Sequence, residues 1–133
     1  MSYNGFLLKV GKNEIPLKYF GLDTYKILRS TSDFDSYRDA DGVLHRNALS
    51  HKVMKVEFTT PYMYGEELDT LMNLIRSQYT NATEKKVIIS AYDKESNSYV
   101  SATCYVPDIT FQIAQNSPRG FVYAPTRIAF IEY

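Results

Sequence analysis

The chain has 133 residues, balanced at 15 Lys+Arg against 15 Asp+Glu, with one Cys, two His, no Trp and as many as twelve Tyr and seven Phe. That length suits one domain able to bury a real core, and the neutral balance argues against a protein that tracks nucleic-acid phosphates. A lone Cys excludes a disulfide framework and any multi-cysteine zinc site within one chain.

The apolar runs are too short to span a bilayer as a helix, and the first residues have neither the basic nor the apolar region of a secretion signal. The expectation is a compact protein made in a reducing cytosol, with no direct nucleic-acid reading and no membrane partner. The five prolines are scattered at 16, 61, 107, 118 and 125, no repeat or low-complexity linker interrupts the chain, and residues 1–133 are expected to form a single β-rich domain.

Alternation of apolar and polar residues runs through most of the chain. Phe6, Leu8 and Val10 alternate up to a turn at Gly11-Lys12-Asn13. Ile15, Leu17 and Tyr19 alternate after it, predicting a hairpin, and Tyr25 and Ile27 continue as a third strand. Asp39-Ala40-Asp41-Gly42 is a tight-turn signal, because Asp-Gly supplies positive φ readily. It predicts a polar hairpin at about 33–49, with arms around Phe34–Arg38 and Val43–Asn47. Met54, Val56 and Phe58 then mark a half-buried strand.

The period changes once. Leu68, Leu71, Met72, Ile75 and Tyr79 recur at helical spacing and predict a helix over about 65–79 with this face packed on a sheet. Gly65 stands as its N-cap, Glu66 and Glu67 place negative charge in the first turn, and Arg76 suits the C-terminal end of the dipole. Strands resume with Val87, Ile89 and Ala91, and a polar turn covers Asp93–Ser98. Val100, Ala102, Cys104 and Val106 line one face of the next strand, with Tyr99, Ser101, Thr103 and Tyr105 on the other. Ile109, Phe111 and Ile113 follow, then a turn at Asn116–Gly120 and a β-rich Phe121–Tyr133 broken at Pro125. About nine strands and one flanking helix predict a mainly β domain, sandwich- or barrel-like.

Catalytic signals are weak. Cys104 sits in register with apolar residues, where a cysteine behaves as a small hydrophobe. His45 and His51 are six apart, which fits neither a helix face nor a strand face, and no HExxH, P-loop, dinucleotide or nucleophile-elbow pattern occurs. If Gly42 is set on the glycine of an EF-hand loop, Tyr37 and Ala48 fall where carboxylates are required, so that motif fails. Neither a cofactor nor a metal site is expected. The tyrosines are left as the unusual feature: Tyr99 and Tyr105 suit a contact surface for other subunits or for sugar.

The opening Met1–Val10, the segment Asp35–Leu49 and the stretch Tyr105–Phe111 resemble a family of small, poorly characterised phage and prophage tail-module proteins of Gram-positive bacteria, the Asp35–Leu49 segment most specifically. The resemblance implies a tail-tube-like or distal-tail-like fold. It also implies a non-enzymatic virion role in the phage tail, assembly with itself (a hexameric ring in such classes), and neighbours such as tape-measure or tail-tip proteins. It implies that the hairpin, through Asp35, Tyr37, Arg38, Asp39, Asp41, Gly42, His45 and Arg46, reaches an adjoining subunit. Three alternatives stay open: a head–tail connector or tail-completion protein, a carbohydrate-binding sandwich of the tail tip using Tyr99 and Tyr105, and an enzyme built on Cys104 and a histidine.

Overall fold

The computed structural model describes residues 3–33 and 36–133. Among them lie twelve strands, one α-helix and one 3₁₀ turn. In chain order the strands are β1 Leu8–Val10, β2 Asn13–Glu14, β3 Lys26–Asp33, β4 Tyr37–Arg38, β5 Leu44–His45, β6 Ala48–Thr59 and β7 Met63–Tyr64. After helix α1, Gly65–Arg76, come β8 Lys86–Asp93, β9 Ser98–Tyr105, β10 Ile113–Ser117, β11 Gly120–Tyr123 and β12 Arg127–Glu132.

Seven strands form one sheet in the order β2-β1-β8-β9-β12-β6-β3, with antiparallel pairing throughout. The order has two free ends, so the sheet does not close into a barrel. It curls instead. Just ahead of β3, the Tyr25 hydroxyl donates to the Tyr92 carbonyl at 2.9 Å and approaches the Leu7 carbonyl at 3.3 Å. Further along β3, Arg29 reaches Asp93 at 3.3 Å. These contacts tie one end of the sheet across to β8 and the entry to β1, so the two halves enclose a shared interior, as in a sandwich. Burial pushes the Tyr25 phenol well above its usual range, reinforced by the charge of Asp93.

The alternation read from the sequence places the core correctly. Leu8, Val10, Met54, Val56, Phe58, Val87, Ile89, Ala91, Cys104, Ile128 and Phe130 are all buried in one cluster. A second sheet, β10-β11-β7, leads into α1, which packs Leu68, Leu71, Met72 and Ile75 into the same cluster. Gly65 fits closely here: a Cβ at this position would sit 3.2 Å from the Tyr123 ring of β11, so that ring would have to give way by a few tenths of an ångström.

The structure corrects four expectations. The strand expected through Ile15, Leu17 and Tyr19 ends at Glu14, because Pro16 has no N–H for a ladder; the chain turns into a 3₁₀ segment, Leu17–Tyr19, that buries Tyr19 and exposes Leu17. The helix starts at Gly65 with Tyr64 as its N-cap, so Gly65 is not the cap. It also ends at Arg76 and not near 79, because Thr80 N–H is drawn to the Lys86 carbonyl at 2.8 Å and Asn81 bridges Lys86. Tyr79 therefore lies beyond the helix, half-buried against the core from the following turn. Last, Ile109 and Phe111 are not in a strand; pairing begins only at Ile113. Around Pro125 the chain does more than bend, since β11 and β12 belong to different sheets.

Candidate functional site

The hairpin is the far end of the longest strand pair. β3 and β6 pair from Lys26↔Glu57 to Thr31↔Lys52, pass an irregularity, and meet again at Asp33↔Ala48. Beyond that point β4 and β5 pair as Tyr37↔His45 and Arg38↔Leu44. The described part, residues 36–47, is narrower than the arms expected from the sequence, and Asp35 lies outside the described residues.

Its turn is built as the sequence dictates. Gly42 takes φ +82° and donates its N–H to the Asp39 carbonyl at 3.0 Å, while Asp39 N–H bonds the Val43 carbonyl at 3.0 Å. This is a turn followed by a left-handed glycine, one of the common solutions for a short β-hairpin loop. Asp39 organises the rest. Its Oδ1 accepts the N–H groups of Asp41 and Val43, both at 3.0 Å, and its Oδ2 lies 2.8 Å from His45 Nε2. The bond to His45, then those to the backbone, hold the Asp39 carboxyl below its usual range. Tyr37 stacks on His45 with ring centroids 4.8 Å apart, and Arg38 donates to the Gly42 carbonyl at 3.0 Å.

Pairing puts Tyr37 and His45 on one face and Arg38 and Leu44 on the other. Among the described residues neither face is covered: Tyr37 is 58 % exposed, Val43 55 % and Leu44 47 %, and Asp41, Gly42 and Arg46 are exposed as well. An isolated two-stranded ribbon is marginally stable in water. This one is ordered by its turn while leaving three large apolar side chains in solvent.

Tyr99 and Tyr105, expected on a contact surface, both have partners within the chain. Tyr99 is half-buried: its hydroxyl accepts Asn4 N–H at 2.8 Å and donates to the Phe6 carbonyl at 2.7 Å, and its ring stacks on Phe6 at 4.5 Å. It fastens residues 4–6 to β9. Tyr105, also half-buried, meets the edge of Tyr133 at 5.7 Å. The two tyrosines share a strand face but work within the chain.

Cys104 is fully buried, and burial with the nearby Glu132 raises its thiol to about 12, so it is no thiolate nucleophile at neutral pH. Among the described residues no three His, Cys, Asp or Glu gather as a metal site.

Sequence reasoning missed a groove beside α1. Met72, Arg76, Tyr79, Lys85, Ile109 and Phe111 surround a hollow of about 460 Å³. It adjoins a smaller one of about 190 Å³ between Leu68, Phe111 and Tyr123. The irregular path of residues 107–112 creates it, which an apolar alternation at Ile109, Phe111 and Ile113 conceals.

Compared with protein-family models, the whole chain, residues 1–133, matches a family of unknown function (DUF6711). No curated protein and no solved structure matches it.

Proposed function

Since the chain belongs to the DUF6711 family, whose function is unknown, we propose from its own structure and sequence that it is a non-enzymatic structural component of a phage or prophage tail. It would be of the distal-tail or tail-tube type, made in the bacterial host and assembled into the virion. The observation that carries this reading is the exposed hairpin, internally fastened through Asp39 yet bare on both faces. Such an element gains its burial from a neighbour. The sequence resemblance of Asp35–Leu49 to tail-module proteins supports the tail setting, and the single β-rich block with one flanking helix supports a building-block role.

The mechanism is assembly. The curled sheet supplies a rigid body, and the hairpin joins one body to the next through a heterologous contact, which closes into a ring when its rotation permits. Tape-measure or tail-tip proteins are the expected further partners. Light scattering after size exclusion, with negative-stain imaging, tests this. The intact chain is expected to form discrete oligomers or rings. A chain with Ala40–Gly42 removed is expected to stay folded and monomeric. A strict monomer at high concentration, for the intact chain, overturns self-assembly.

A further inference from the structure

The groove beside α1 and the tip of the hairpin are complementary. The groove floor is apolar: Met72 and Val106 are each 3 % exposed, and Phe111, on the wall, is 41 % exposed. Its charges are unequal in availability. Lys85 is held by Asp108 at 2.9 Å, whereas Arg76, exposed in the last turn of α1, has no ion pair among the described residues. The hairpin offers an aromatic face and a tip of mixed charge, with Arg38 turned onto the Gly42 carbonyl. Tyr37 and His45 form an aromatic face beside Val43, and at the tip the Asp39 carboxylate is spent within the turn. Asp41, also at the tip, is exposed and has no side-chain partner among the described residues.

The register shows that a chain cannot join these two surfaces by itself. Ile131 pairs with Tyr105 on one side and with Lys55 on the other, so the end of β9 is level with Lys55 of β6. The groove lies past Tyr105, in the direction of Thr59. The hairpin leaves β6 at the opposite end, before Ala48. Ala48 lies seven positions before Lys55 along β6, roughly 23 Å at the usual rise per residue, and residues 36–47 join β6 at that far end. Complementary surfaces at opposite ends of one body define a head-to-tail contact between copies.

We propose that the groove between α1 and residues 106–111 receives the hairpin of a second copy of this chain, with Tyr37 and Val43 against Phe111 and Ile109, and Asp41 against Arg76. This rests on the assembly reading above and adds the receiving surface to it.

Charge exchange in the full-length chain is the test, with self-association measured by sedimentation equilibrium. Asp41→Arg and Arg76→Glu are each expected to raise the dissociation constant roughly tenfold, because like charges then meet at the contact. A one-to-one mixture of these two variants is expected to regain association, since the Arg tip meets the Glu groove and the unchanged Asp tip meets the unchanged Arg groove. Phe111→Ser, at an exposed position, is expected to weaken association without loss of the cooperative melt, and it carries the test should Arg76→Glu disturb the helix. If Asp41→Arg weakens association while Arg76→Glu and Phe111→Ser do not, the groove is the wrong receiver and the hairpin still assembles the protein. If the mixture fails to regain association, the Asp41–Arg76 contact is overturned. If the intact chain does not associate at all, the groove assignment and the assembly reading both fall.

Discussion

Replacing Leu71 by Ala tests the packing on which both the core and the groove depend. Leu71 is fully buried in the middle of α1, against the interior of the large sheet, with Leu68, Met72 and Ile75 beside it. The change removes about three carbons, worth roughly 0.8 kcal/mol each in transfer from water, and leaves a cavity that a rigid sheet collapses only in part. The expected loss is therefore about 3–4 kcal/mol. At about 2.1 cal/mol/K of unfolding entropy per residue, a chain of 133 residues would lose about 11–14 °C in Tm. Urea unfolding followed by circular dichroism is the assay, with tyrosine fluorescence as the second probe. The midpoint should fall by about 1–2 M with an unchanged slope. Leu22→Ala is the control: Leu22 is 92 % exposed, and its removal should stay within about 0.5 kcal/mol. A loss below about 1 kcal/mol at Leu71, with the slope unchanged, would refute the placement of the helix on the sheet.

Three further outcomes are expected. In the native protein, a disulfide reagent should label Cys104 no faster than the chain unfolds, since the thiol is buried and raised to about 12; rapid labelling at neutral pH would revive thiol chemistry. Tyr25 is a phenol whose folded pKa is raised, so its contribution to stability is complete below the ordinary value near 10 and is lost as pH climbs from there towards the folded value. Spectrophotometric titration should thus find Tyr25 among the late-ionising tyrosines, beside Tyr79 and Tyr133 whose phenols are also raised, and Tyr25→Phe should remove one tyrosine from that late step. Asp39 has the opposite sign: its pKa is lowered, so the order it lends the hairpin is present above about 3.9 and fades as pH falls through the folded value. His45→Ala should move the Asp39 titration, read by NMR, back up towards the ordinary value; an unmoved titration would refute the Asp39–His45 bond.

Much of the fold was legible in the chain because burial on one face of a strand or helix leaves a period. The rows Met54-Val56-Phe58, Val87-Ile89-Ala91 and Leu68-Leu71-Met72-Ile75 were found on that ground, and each is buried. Period fails where a backbone rule outranks it. Pro16 stops a ladder whose alternation Ile15, Leu17 and Tyr19 continue in the sequence, and Thr80 leaves the helix to bond Lys86 although Tyr79 sits at helical spacing. The turn of the hairpin was legible from Asp39 and Gly42, since both act through neighbours in the chain. The groove was not, because Arg76 and Phe111 meet across a gap that no local pattern encodes. The partners of Tyr99 are hidden from the sequence for a related reason. A strand pattern tells which face a side chain is on, but not that Phe6, over ninety residues earlier, comes to lie on that face.

The order of the large sheet also governs when the protein can exist as a folded body. β12, the latest strand in the chain, is not at an edge; it lies between β9 and β6 and pairs with both. Until residues 127–132 have been made, β6 and β9 each keep an open row of backbone groups, and Val56, Phe58 and Cys104 lack Ile128 and Phe130 as packing partners. A fragment ending before Arg127 lacks the strand whose backbone pairing joins β6 to β9. The seven-stranded order is therefore completed only when β12 is in place between β9 and β6.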